Sequence, residues 1–207
     1  MNISRRTYVA LAAPIAVSAA LLAGCSSDNS KNSSTTTPTA ADASAGAATT
    51  AAAGSCPTGT PGAGVAPQYV FTGATGSAAV TGSTATDAPK VTITTPFTVT
   101  QTQVHTLTPG DGPVVAEHAN VNVCYAGYSG STGKVFDQTP YTTGQGTSFG
   151  LDQVVPGFSK AIAGQKVGST VAVAIVGADG YGAAGQPAAG IAPNDTLVFA
   201  IKILAAQ

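Results

Sequence analysis

Two short motifs in the sequence have the spacing of familiar chemistry, and both lack the surroundings that chemistry needs. GYGAAG at 180–185 has the glycine spacing of a dinucleotide-binding turn, which works only when a helix N-terminus follows to receive a pyrophosphate. Gln186 and Pro187 follow here, then a further glycine, and no helical pattern. GTSFG at 146–150 has the pattern of a nucleophile elbow around Ser148. No strand-turn-helix context surrounds it, and His105 and His118 both lie upstream, where that chemistry places neither. The histidines and acids never fall at metal-ligand spacing, so neither metal nor cofactor is expected, and each histidine reads as a solvated strand-edge residue. What remains is an apolar and aromatic complement, with six Tyr and six Phe, and almost no acid–base equipment. Such a set can enclose a substrate and change its solvation without attacking it.

Those residues need a core to hold them, and composition says where it lies. The 207 residues are 43% hydrophobic but only 8% charged, with a formal net charge of -1. No basic cluster tracks a phosphate backbone, so nucleic acid is excluded as a partner. Much of the hydrophobic fraction is alanine in a low-complexity tract, which leaves the usable core after about residue 90.

The positioning elements are mostly strands. Residues 68–72, 91–95 and 97–102 alternate apolar residues with threonine and are separated by Gly, Ser and Asp-Ala-Pro turns. After a PGDG turn at 109–112 come strand patterns at 120–128, 134–137, near 149–154, 169–176 and 196–204. Between them, residues 156–163 open on Pro156, place Phe158 and Ile162 four apart and are followed by Gly164, the punctuation of a two-turn helix. Val171, Val173 and Ile175 face one way and Ala172, Ala174 and Val176 the other, so that strand is predicted to be covered on both faces. Strands wrapped on one short helix make an α+β fold.

The N-terminus reads as an address. Arg5 and Arg6 precede an uncharged run that ends in Leu22, Ala23, Gly24 and Cys25, the layout of a bacterial lipoprotein signal. Small residues before Cys25 let the chain extend through a peptidase cleft, and the Cys25 thiol then takes a diacylglycerol thioether. Residues 1–24 are therefore expected to be removed and Cys25 to anchor the chain, by a palmitate-bearing lipid, to the outer face of the bacterial cell membrane. The run is too short and too interrupted by Pro14 for a membrane span; the paired arginines also resemble a twin-arginine export signal, and that route stays open beside the general one. Residues 25–55, rich in Ser, Thr and Ala, cannot offset the entropy of ordering and are predicted to form a disordered tether. With Cys25 acylated, Cys56 and Cys124 are an even pair in an oxidising compartment. A bridge would pin the end of the tether to the folded part and contribute about 4 kcal/mol through the closed loop; two free thiols are the alternative.

Six stretches then occur together: VHTLTPGDGPVV (104–115), VNVCYAGY (121–128), GKVFDQT (133–139), QVVPGFSKAIAGQKVGS (153–169), DGYGAAGQP (179–187) and PNDTLVFAIKIL (193–204). In this order and spacing the chain from residue 104 resembles an FKBP-type peptidyl-prolyl cis-trans isomerase, and PKVTITTPFTVTQTQ (89–103) is similar to the lead-in of some bacterial members. The resemblance implies an FKBP-like half-open antiparallel sheet wrapped around the short helix, over 104–207, preceded by a β-rich extension at 56–103. It implies a pocket between sheet and helix made by Tyr125, Phe136, Asp137, Val154, Val155, Phe158, Tyr181, Ile191 and Phe199. Phe158 would be the floor, where many relatives carry Trp, and Val154, Val155 and Ile191 the sides. The Val155 N–H and the Tyr181 hydroxyl would hold carbonyls of a peptide or a macrolide. Three departures stand out: Thr147 aligns where many members have an aromatic wall, Phe158 replaces Trp, and residues 138–159 contain no Arg or Lys to pair with Asp137.

This set suits proline. Rotation about a peptide C–N bond costs about 18–20 kcal/mol because resonance is lost, and no nucleophile or metal is required to lower that barrier. The expected function is a monomeric, envelope-tethered prolyl isomerase acting on exported proteins; a non-catalytic FKBP-like module that holds a partner protein is the alternative.

Overall fold

The computed structural model describes residues 54–207. The expected export signal, Cys25 and all but the last two residues of the expected tether lie outside the described residues.

The chain first forms an antiparallel meander, β1 (Tyr69–Thr72), β2 (Thr75–Thr81) and β3 (Lys90–Thr98). The pattern at 91–95 and 97–102, read above as two strands, is one strand that runs through Pro96 and stops at Thr98. Proline is tolerated because β3 is an edge strand, where a missing N–H costs no ladder bond. β2 was not expected: TGSAAVT is small and weakly β-forming, and it becomes a strand because it pairs on both sides.

A second sheet follows, built from β4 (Gln103–Thr108), β5 (Asn120–Ser129), β6 (Val135–Gln138), β7 (Thr147–Gly150), β8 (Thr170–Ile175) and β9 (Leu197–Ala206). Its order is β4-β8-β9-β5-β6, and β7 also pairs with β5. β6 pairs with residues 126–128 of β5 and β7 with residues 120–123, so the two short strands share its outer edge. Every pairing is antiparallel. β4 was not read as a strand from the sequence, because QVHTLT carries only two apolar residues; it lies at the sheet edge against β8.

One helix, α1 (Pro156–Ile162), crosses the inner face of this sheet. Pro156 supplies the fixed φ of a first turn, and Gly164 at φ 79° ends the run one residue beyond the C-cap. Phe158, Ala161 and Ile162 are buried beneath it. Gly157 sits where any Cβ would collide with Ile175 of β8, so glycine sets how closely helix and sheet approach.

The alternation in β8 does divide two cores. Val171, Val173 and Ile175 join Val121, Val123, Phe158, Ile162 and Ile201 under the helix. Ala172 and Ala174, with Val198 and Ala200, face the meander and pack against Phe71, Ala78, Val80, Phe97 and Val99. Cys124 takes the face opposite its neighbours and is joined by a disulfide to Cys56, with the Cα atoms 5.6 Å apart and a sequence separation of 68. The Cys56 N–H also donates to the Gly144 carbonyl, which ties the bridge to the loop leading into β7.

Candidate functional site

The described pocket is an open cavity of about 260 Å³ at the end of α1. Phe158 reaches its base from the first turn of the helix, and Tyr125 and Phe199 come from the paired strands β5 and β9. All three are nearly inaccessible, at 4%, 6% and 5% exposure, and form the floor. Their rings meet edge to face: Phe158 and Phe199 at 5.2 Å between centroids, Tyr125 and Phe158 at 5.9 Å. Phe136 of β6 closes one side against Phe199 at 5.5 Å. Gly127 allows this, because a Cβ there would meet both rings.

The opposite side is Phe149 of β7, at 5.6 Å from Tyr125 and 5.9 Å from Phe158. This corrects the sequence alignment, in which Thr147 stood at an unfilled aromatic wall. β7 registers Thr147 against Val123 and Phe149 against Val121, so both lie on the same face of the sheet, and the longer ring reaches the cavity. The wall is present, two residues further on. Thr147 and Phe149 share a strand face and differ in size, which was the signal available to find it.

Val154 and Val155 lie on the remaining side, together with Gln153, which the sequence reading omitted. Val155 is the residue before Pro156 and has extended backbone, φ -60° and ψ 144°. Its carbonyl accepts from the N–H of Phe158 at 2.9 Å and of Ser159 at 3.3 Å, while its own N–H has no backbone acceptor among the described residues. That donor stands at the cavity edge.

The polar members are at the mouth. The Tyr125 hydroxyl donates to Asp137 Oδ2 at 2.6 Å. Burial drives the Tyr125 hydroxyl well above the usual tyrosine range, and the bond to the Asp137 carboxylate adds to that shift, so it stays a proton donor. Tyr125 is also held through its backbone, donating to Thr139 Oγ1 at 3.0 Å and accepting from the Thr139 N–H at 2.9 Å. Tyr181, 38% exposed, stands beside the cavity immediately before the tight turn Gly182–Ala184.

Eight of the nine predicted pocket residues therefore converge. Ile191 does not line the cavity. It is 2% exposed within the inner core, and its N–H and carbonyl bond reciprocally with Gln186, closing the loop after Tyr181. It packs in the same core as Tyr125, Phe158 and Phe199, behind the lining of the cavity.

With ring floor, ring walls and two neutral donors at the edge, the site can desolvate a small apolar group and hold a neighbouring carbonyl. Among the described residues there is no group of three or more His, Cys, Asp or Glu suited to a metal ion.

Comparison with known proteins shows which chains this one resembles. A family model described as FKBP-type peptidyl-prolyl cis-trans isomerase matches residues 112–204. The chain is 36% identical over 98 residues to an FK506-binding protein of Streptomyces anulatus, a match covering 46% of this chain and 78% of that protein. It is 38% identical over 97 residues to the FKBP-type peptidyl-prolyl cis-trans isomerase FkpA of Escherichia coli strain K12, covering 46% of this chain and 33% of that one. The match thus spans about a third of the length of FkpA. The crystal structure of FkpA from Escherichia coli superposes with a TM-score of 0.47 at 35% identity, over 51% of this chain and 48% of that chain.

Proposed function

The chain belongs to the FKBP-type peptidyl-prolyl cis-trans isomerase family, and we propose that it accelerates X-Pro rotation in exported proteins from a lipid anchor on the outer face of the cell membrane. The observation that carries the catalytic part is the lining of one small cavity by six aromatic residues, with an unengaged backbone N–H at its edge.

The planar imide is charge-separated by resonance, and the twisted imide less so. A dry aromatic cavity disfavours the planar form relative to the transition state, so enclosure lowers a barrier of about 18–20 kcal/mol without covalent chemistry. The pyrrolidine ring sits on Phe158, between Phe136 and Phe149. The Val155 N–H and the Tyr181 hydroxyl take carbonyls on either side, so binding energy from the backbone holds the twist. A macrolide with a similar ring and carbonyl pair competes for the same cavity.

Support for the location comes from the residues before Cys25 and from the Cys56–Cys124 bridge, which suits an oxidising compartment. Labelling with an alkyne fatty acid is expected in the wild-type protein and lost in Cys25→Ala; label that persists in the variant would refute the anchor.

The deciding experiment for function is the cis-to-trans rate of a Leu-Pro tetrapeptide with the full chain. The uncatalysed process takes tens to hundreds of seconds, and the protein is expected to shorten it and to lose this effect when macrolide is added. A folded protein that binds the macrolide but leaves the rate at background is a binding module, and the catalytic reading fails.

A further inference from the structure

Asp137 is the one charged residue on the cavity wall. Its Oδ2 accepts the Tyr125 hydroxyl at 2.6 Å, and its Oδ1 accepts no hydrogen bond among the described residues. Residues 54–207 contain five lysines and no arginine against seven acids. Lys160 is committed to Asp179, Lys202 donates to the Thr84 carbonyl, and among the described residues no lysine pairs with Asp137. A tyrosine hydroxyl orients a carboxylate but does not cancel its charge. The mouth of the cavity therefore carries one carboxylate with no counter-ion among the described residues, beside Gln153 and Tyr181.

Resting on the isomerase reading above, we infer that Asp137 makes the cavity selective for a basic residue immediately before the proline. The proline ring belongs on the buried floor of Tyr125, Phe158 and Phe199. The preceding Cα lies only about 2.9 Å from the proline Cα in the cis form and 3.8 Å in the trans form. Its side chain is therefore held near the exposed carboxylate throughout the rotation. A lysine or arginine there gains attraction at that site, and a glutamate meets repulsion. Exposed ion pairs usually contribute little because both side chains must be ordered. Here one partner is already ordered: the bond from Tyr125 holds the carboxylate before substrate arrives, so only the substrate side chain loses freedom. The X-Pro sites acted on best would be those in basic segments of client proteins.

The test is kcat/KM of the full chain on tetrapeptides that differ only before proline, with Lys, acetyl-lysine, Gln, Glu and Leu. Lys is expected to exceed acetyl-lysine by about threefold and Gln to exceed Glu by about threefold, placing Lys about tenfold above Glu. Both ratios should shrink toward one in about 1 M salt, where the screening length is about 3 Å, and in Asp137→Asn. Glu-Pro handled as well as Lys-Pro, or ratios that persist in salt or in Asp137→Asn, would overturn the inference while leaving the isomerase reading intact. Absence of turnover with every peptide would overturn the isomerase reading and this one with it. Should Asp137→Asn not fold, the peptide series and the salt series on the wild-type protein decide alone.

Discussion

Phe149 and Thr147 are the residues at which the alignment and the geometry part. Because the Phe149 ring closes the cavity, Phe149→Ala is expected to lower kcat/KM on Leu-Pro peptides by about tenfold or more, while Thr147→Ala, which touches no part of the cavity wall, should change it less than twofold. Circular dichroism must show both variants folded. Tyr181→Phe removes one hydroxyl and no ring. Its loss is expected to cost about 1 kcal/mol of transition-state stabilisation, or about fivefold in kcat/KM. An unchanged value would show that the hydroxyl holds no substrate carbonyl. Tyr125, Phe136, Phe158, Tyr181 and Phe199 were legible in the sequence because each stands at a recognisable place in a motif that resembles a known family. Ile191 lies in the core beside the floor rings and not on the lining, at the end of a loop closed by its backbone bonds to Gln186.

At the scale of elements, the loop that carries Tyr181 is tied down by groups distant in sequence. Asp179 accepts from Thr102 Oγ1 at 2.6 Å and from Lys160 Nζ at 2.9 Å and 3.0 Å, while Thr102 accepts from the Val176 N–H at 3.3 Å. One carboxylate so joins the segment before β4, the helix α1 and the turn before Tyr181. The Thr102 and Lys160 bonds hold the Asp179 carboxyl below its usual range. A depressed folded pKa contributes stability that is present above the unfolded value of 3.8 and is lost as pH falls through the folded value. Asp179→Asn is therefore expected to lower the melting temperature by about 2–4 °C at neutral pH and by less below pH 3. Equal losses at both pH values would show that its charge is unimportant. His118 behaves in the opposite sense: its hydrogen bond to Asp152 at 2.7 Å raises its pKa, so the contribution of that exposed pair is present in acid and lost as pH rises through the folded value.

For the whole molecule, the large sheet is sandwiched, with α1 on one face and the meander on the other. The aromatic residues that fill the outer layer, Phe71 and Phe97, are 1% and 0% exposed and lie before the 112–204 match. Phe97→Ala should cost about 3–5 kcal/mol, as truncation of a buried phenylalanine does, and a urea titration would show it as a lower midpoint with little change in slope. A change of less than 1 kcal/mol would mean that the meander is dispensable to the folded core.

The sequence by itself determined the strand-rich class, the single two-turn helix and the two-faced burial of β8, because each rests on a short-range period or a chemically distinctive residue type; the cavity residues came from the order and spacing of six motifs that resemble a known family. Tertiary structure alone decided β2, whose small residues are weak strand formers, and β4, whose two apolar residues do not alternate; both take their state from the strands beside them. It also decided that Phe149 is the second wall, that Ile191 is buried in the core behind the lining, and that Asp137 meets a tyrosine and, among the described residues, no cation. Those outcomes depend on register, on a loop closed by one backbone pair and on distances between residues far apart in the chain, and none of these is written in the local order of side chains.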